Sequence, residues 1–238
     1  MRAMLVTVSV IVMALLGYLT VRQIGVWKNS EVFWAYFADS LPNRYAQADF
    51  ALGKYLSEKG MIKEAEEKYK LALQNDPDYI AALNALGFIY DGRGMYQEAV
   101  KYYRHAVESK PNYPNIHLIH NSLALIYIKT NQLEKAESAL REALHLNSAD
   151  AEVHSSLGIL YHTMGRLQDA EREYKEAISL KFNHFTAHLN LGMLYKETGY
   201  FDKAMIEFKR DIYPDHFRES IQKHIAEINA GAVPAAPK

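Results

Sequence analysis

The chain has 238 residues, no cysteine, and 27 Lys+Arg against 28 Asp+Glu, for a formal net charge of -1. Without cysteine, a disulfide scaffold and a Cys-ligated zinc or iron-sulfur centre are excluded, and the even charge balance gives no bulk attraction to nucleic acid. Hydrophobic residues at 49% and charged residues at 23% are ordinary for a folded protein, so the information lies in their order.

Residues 3–21, AMLVTVSVIVMALLGYLTV, contain no Asp, Glu, Lys, Arg or His. At ~1.5 Å rise per residue such a helix matches a hydrocarbon core of about 30 Å, so residues 1–22 are expected to form a transmembrane anchor. A secretory signal peptide competes for the same segment. Its apolar region is usually about 7 to 15 residues and a small-x-small cleavage site follows it, whereas this run is longer and no such site follows. Arg2 and the amino terminus on one side face Arg22 and Lys28 on the other, too even a split for charge to set the orientation. Residues 23–45 hold both tryptophans, Trp27 and Trp34, with Phe33, Tyr36 and Phe37. Ser30 can N-cap a short helix there, which Leu41-Pro42 ends. This aromatic juxtamembrane segment suits the headgroup layer, and equally suits a cap over the apolar end of the domain that follows.

From residue 46 onward the chain is self-similar. Ala65, Ala99, Ala136, Ala170 and Ala204 are spaced 34, 37, 34 and 34 residues apart. Gly53, Gly87, Gly158 and Gly192 keep the same register, with Ala124 in the remaining place. So do Gly60, Gly94, Gly165 and Gly199 with Asn131, and Tyr90, Tyr127, Tyr161 and Tyr195. Tyr69, Tyr103, Leu140, Tyr174 and Phe208 form a further column, and Pro77 and Pro111 close the first two units. The series Leu86-Gly87-x2-Tyr90, Ala99-x3-Tyr103, Ala106, Pro111 resembles the tetratricopeptide repeat. That resemblance implies an all-α fold, a right-handed α-solenoid of helix pairs, here preceded by a single N-terminal transmembrane helix. Five units are expected, at 46–79, 80–113, 117–150, 151–184 and 185–214, then a cap helix at 215–230 and a disordered tail at 231–238. Pro114 to Ile116 is a three-residue insertion. Asp49 and Leu56 stand where aromatics are expected, Ser148 and Phe182 where proline is usual, and Asp211 breaks the last Ala column.

Two helices cross closely only where a small residue removes Cβ bulk, which places Gly87 against Ala99. Each pair then leaves one apolar face to be buried on the next pair, and the inner wall of such an array binds things. On the first helix of each unit, positions 4, 7, 8 and 11 form the packed face, leaving 2, 6, 9 and 13 opposite with 5 and 12 flanking. Position 9 reads Lys54, Phe88, Leu125, Ile159 and Met193, so an apolar row is expected on an open face. Asn84, Asn121 and Ser155 at position 5 run beside it, as do Ser122, Ser156 and Asn190 at position 6. Amides beside an apolar floor suit an extended peptide, because Asn can bond both backbone N–H and C=O. Packing of position 9 on the next unit's first helix is the competing reading. Some tetratricopeptide domains clamp a partner's C-terminal carboxylate with Lys and Asn. The corresponding places hold Phe50, Lys54, Ala81, Leu118 and Ser122, so a co-chaperone role is not expected.

His120, His154 and His188 recur at 34-residue spacing and His184-x3-His188 has i, i+4 spacing. They occupy or adjoin position 4, where a packing residue belongs, and two His without a third ligand make no metal site. Glu64-Ala-Glu66-Glu67 and Glu171-Arg-Glu173 read as solvated faces with i, i+4 Lys partners. No phosphate loop, nucleophile elbow or carboxylate pair appears, so neither a cofactor nor a catalytic residue is expected.

The expected function is a membrane-anchored, non-catalytic scaffold that binds a protein or peptide partner, with no nucleic acid. A second resemblance lies at the junction. Arg22-Gln-Ile-Gly-Val-Trp27-Lys28-Asn29-Ser30-Glu31-Val32-Phe33-Trp34, following a hydrophobic span and preceding the repeats, is similar to the C-terminal part of GT-C-type protein O-mannosyltransferase-like membrane proteins. It implies that the chain is an accessory region or short paralogue of such an enzyme, presenting protein substrates with its repeats on the periplasmic or luminal side.

Overall fold

In the computed structural model, residues 46–210 and 212–231 are described. The anchor at 1–22, the aromatic segment at 23–45, Asp211 and residues 232–238 lie outside them. Among the described residues there are eleven helices and no strand, and no helix is long and apolar enough to cross a membrane.

The chain divides at Lys110–Pro111 into two compact units. The first contains α1 (Ala46–Glu58), α2 (Ile62–Asn75), α3 (Ile80–Gly92) and α4 (Tyr96–Ser109). The second contains α5 (Ile116–Lys129), α6 (Leu133–Leu146), α7 (Ala151–Thr163), α8 (Leu167–Leu180), α9 (Phe185–Glu197), α10 (Phe201–Phe208) and α11 (Asp215–Asn229). In the first unit α1 packs on α2, α2 on α3 and α3 on α4. In the second, α5/α6, α7/α8 and α9/α10 are antiparallel pairs, and α11 closes the stack against α10.

The turn inside each pair is set by one residue. Gly60, Gly94, Gly165 and Gly199 have φ between 72° and 80°, and Asn131 holds the same place at φ 57°. Asn is one of the few side chains that tolerates this left-handed region, which explains its entry into a glycine column. The core then follows the columns: Ala65, Ala99, Ala136, Ala170 and Ala204 are fully buried.

The glycine column works differently from the sequence expectation. A Cβ on Gly87 would stand 2.5 Å from the Tyr103 ring, and one on Gly53, Gly158 or Gly192 would meet Tyr69, Tyr174 or Phe208 as closely. The bulk that glycine accommodates is thus first an aromatic ring of the second helix, with the backbone of the Ala column next, as at Ala65 O, 3.2 Å from a Cβ on Gly53. Positions 3 and 10 are also buried, as at Val153, Ala187, Ile126 and Leu160, so the packed face of the first helices is wider than one stripe. Within each unit a repeat's first helix meets its own second helix and helices of the adjoining repeat.

Candidate functional site

In the second unit the first helices α5, α7 and α9 touch in succession and form a continuous inner row. Histidine and carboxylate side chains pin α5 to α7 at one end and α7 to α9 at both. His117 Nε2 on α5 lies 3.1 Å from Asp150 Oδ2, whose other oxygen caps α7 by accepting from the backbone N–H groups of Glu152 and Val153. His184 caps α9, its Nδ1 accepting from the N–H of Ala187, and its Nε2 lies 3.2 Å from Glu152 Oε1 on α7. The bond to His184 is the largest influence on Glu152 and holds its carboxyl below the ordinary value against the opposing effect of burial. At the other end His162 on α7 meets Glu197 on α9 at 2.7 Å.

Along this row the structure places Asn121 and Leu125 on α5, Ser155 and Ile159 on α7, and Asn190 and Met193 on α9. Leu125, Ile159 and Met193 are half-buried, as are Asn121 and Asn190. Ser155 departs from the expected open position: it is 2% exposed, because α7 is flanked by a first helix on each side and position 5 turns into that contact. Ser156 is buried for the same reason. Position 9 is half-buried in this unit, and the open floor is narrower than the helical wheel implies.

Asn121 Oδ1 and Ser155 Oγ occupy the same repeat position on touching helices, and both atoms are buried without a protein hydrogen-bond partner. Buried polar atoms are almost always satisfied, so these two are exceptions, and both are closed to solvent in the free protein.

In the first unit the candidates are separate. Lys54 on α1 is exposed, and Asn84 and Phe88 lie one turn apart on α3 with Phe88 72% exposed. A fully open Phe at this place contributes nothing to the core.

Some glutamates read as solvated do other work. Glu66 accepts from Tyr90 Oη at 2.7 Å, Lys70 Nζ at 2.6 Å and Arg93 Nη1 at 2.5 Å, tying α2 to α3. Burial is the largest single influence on this carboxyl and would raise its pKa, but the three hydrogen bonds together outweigh it and leave it at about 2. In the second unit Tyr195 Oη donates to Glu171 at 2.8 Å in the same arrangement, with Lys175 alongside. Arg166 sits 4.2 Å over the Tyr161 ring, its guanidinium 3.7 Å from Glu137. The Tyr column carries this information, since a hydroxyl at a packing position needs an acceptor. Among the described residues no three His, Cys, Asp or Glu side chains converge as a metal would require.

Two family models, each described as tetratricopeptide repeat, match residues 56–120 and 92–160, and residues 151–184 and 185–210. Together they run unbroken over well more than half of the chain. The chain belongs to the tetratricopeptide repeat family. Solved tetratricopeptide structures agree on the fold. PilF of Pseudomonas aeruginosa is 21% identical with a TM-score of 0.70, over 91% of this chain and 93% of its own. MamA of Desulfovibrio magneticus is 18% identical with a TM-score of 0.59, over 76% and 96%. YrrB, described as a tetratricopeptide protein with an unusual peptide-binding site, is 23% identical with a TM-score of 0.55, over 84% and 96%. No curated protein matches the sequence.

Proposed function

We propose that the chain is a non-catalytic interaction scaffold whose second unit takes an extended peptide segment of a partner protein along α5, α7 and α9. The observation that carries this reading is the row of half-buried apolar side chains Leu125, Ile159 and Met193 on three touching helices, with the half-buried amides Asn121 and Asn190 beside it. A peptide backbone can bond to the amides, and its alternate side chains meet the apolar positions. YrrB's described peptide-binding site is in keeping with it. Asn190 and Met193 extend the same row by one repeat, and Lys54, Asn84 and Phe88 offer a further contact surface in the first unit. The hydrophobic run at residues 3–21 tethers the scaffold to a membrane in a single pass.

Site-specific photo-crosslinking in cells expressing the full chain tests the groove. A photoreactive side chain at residue 159 traps a partner that the same group at Ser179, exposed on α8, does not. Equal trapping from both positions overturns the reading. Deletion of residues 1–22 releases the protein from carbonate-washed membranes if the tether is correct.

The Arg22 to Trp34 motif favours a narrower version in which the chain is the accessory tail of a GT-C protein O-glycosyltransferase. A gene immediately upstream encoding a many-span glycosyltransferase fragment supports it. Repeats protected from protease in spheroplasts overturn the periplasmic or luminal placement.

A further inference from the structure

His154 on α7 and His188 on α9 stand at the same place in consecutive repeats and make the same two contacts. Nδ1 of His154 lies 2.8 Å from Glu173 Oε2 on α8, and its Nε2 lies 3.2 Å from the Ser148 carbonyl in the loop entering the repeat. Nδ1 of His188 lies 2.5 Å from Glu207 Oε2 on α10, and its Nε2 lies 2.8 Å from the Phe182 carbonyl in the equivalent loop. The side chains are 12% and 0% exposed. These are the two loops whose residues, Ser148 and Phe182, stand in place of the usual proline.

A carbonyl only accepts, and an ionised carboxylate only accepts, so each ring needs two N–H groups. A neutral imidazole has one. The ring is therefore an imidazolium, or shares its second proton with the glutamate, and free imidazole is the more basic of the two, at about 6.5 against about 4.3 for Glu. Glu176 adds a further negative field at His154, and Arg172 Nε lies 3.5 Å from the far oxygen of Glu173. At the second pair Arg210 Nε also reaches Glu207 Oε2 at 2.8 Å and its guanidinium lies over the Phe182 ring, whose edge faces His188.

The repeat array supplies its own control. His120 occupies the same position on α5, but the residue matching Glu173 and Glu207 is Ala139. Burial, the largest influence there, pushes the His120 pKa down, whereas the Glu173 hydrogen bond, the largest influence on His154, pushes that one up.

We infer that His154 is an imidazolium fastener, protonated at neutral pH, that joins the first helix, the second helix and the entry loop of the fourth repeat and releases as the medium turns alkaline, with His188 making the same two contacts in the fifth. This makes the device opposite in sense to a histidine pair that opens on acidification. It does not depend on the peptide groove.

Histidine-selective 15N NMR of the full chain in detergent, assigned with single His→Gln variants, is the test. At pH 7.5 both nitrogens of His154 are expected to carry imidazolium shifts, with His120 neutral in the same spectrum. A neutral pattern for His154 at that pH overturns the inference. Glu173→Gln keeps a hydrogen-bond acceptor but removes the anion, and is expected to make His154 at least about tenfold more acidic while leaving His188 unchanged. An unchanged His154 titration in that variant also overturns it, and if the variant does not fold, the wild-type spectrum decides alone.

Discussion

A Cβ on Gly158 would stand 2.4 Å from both Cδ1 and Cε1 of Tyr174, closer than any side chain tolerates. The four repeats with glycine at this place all carry an aromatic ring opposite it. The third repeat changes both members together, to Ala124 and Leu140, each fully buried. Cβ bulk and ring bulk thus compete for one volume. Gly158→Ala is expected to cost about 1 to 3 kcal/mol through overpacking. Tyr174→Leu leaves a void and costs stability by itself. The double variant rebuilds the third repeat's combination and should be more stable than the sum of the single effects predicts, by more than about 0.5 kcal/mol. Urea denaturation of the four proteins closes the cycle. Strict additivity would count against a shared volume.

Glu66→Gln should destabilise the first unit, by about 1 to 2 kcal/mol after allowance for the exposure of Lys70 and Arg93, since the carboxylate itself is only 13% exposed. Tyr90→Phe should lose about 1 kcal/mol by removing one donor to the same group. The acid limb carries a signature. With a folded pKa of about 2 against the ordinary 4.5, this carboxylate's contribution is complete above about pH 4.5 and is lost as pH falls through about 2. In the Gln variant that part of the acid-unfolding curve flattens.

Asn121→Ala and Asn190→Ala should separate stability from binding. Both side chains are half-buried beside the apolar row, so the stability of the free protein should change by no more than about 0.5 kcal/mol. Capture of the crosslinked partner should fall, because each substitution strands a peptide group at a cost of about 1 to 3 kcal/mol. A drop in melting temperature with unchanged capture would remove these residues from the site. Lys101→Ala, at an exposed position on α4, is the control and should leave capture unchanged.

Stability should bend in opposite directions at two histidines of the same column. The raised pKa of His154 means that its contribution is complete below about pH 6.5 and is lost as pH rises through the folded value. For His120 the lowered pKa means that the contribution is complete above about pH 6.5 and is lost as pH falls from there through the folded value. Urea midpoints measured across this range for His154→Gln and His120→Gln should flatten the alkaline and the acid side respectively. The same side flattened by both would contradict the assignment.

Much of this architecture is legible in one chain, because a repeat prints its rules several times over. The turn column shows it: four glycines and Asn131 fix every turn inside a helix pair, and all five have positive φ. The partner of the glycine column was not legible, because small residues at Gly87 and Ala99 look like a close crossing, and only three dimensions show the ring of Tyr103 filling the gap. Ser155 misleads for a related reason. A helical wheel describes one helix, and the burial of Ser155 comes from the helices flanking α7. Glu66 and Glu171 look like members of solvated i, i+4 pairs, which they are, but their second partners lie 24 residues on, in the next repeat. The membrane segment depends on sequence alone.

The second helix of the last repeat, α10, has 8 residues where its counterparts have 14. In an array held by nearest-neighbour contacts, a shortened terminal element has less to lose on opening, so it frays first. The closing helix ties back to both helices of this repeat: Phe208 of α10 stacks on His224, while on α9 Phe185 meets Phe217 and Lys196 pairs with Glu227. Amide hydrogen exchange in the second unit should therefore form a gradient, fastest in α10 and α11 and slowest in α7 and α8. Excursions of that end expose the Phe208 ring, and with it the backbone surface that Gly192 keeps bare.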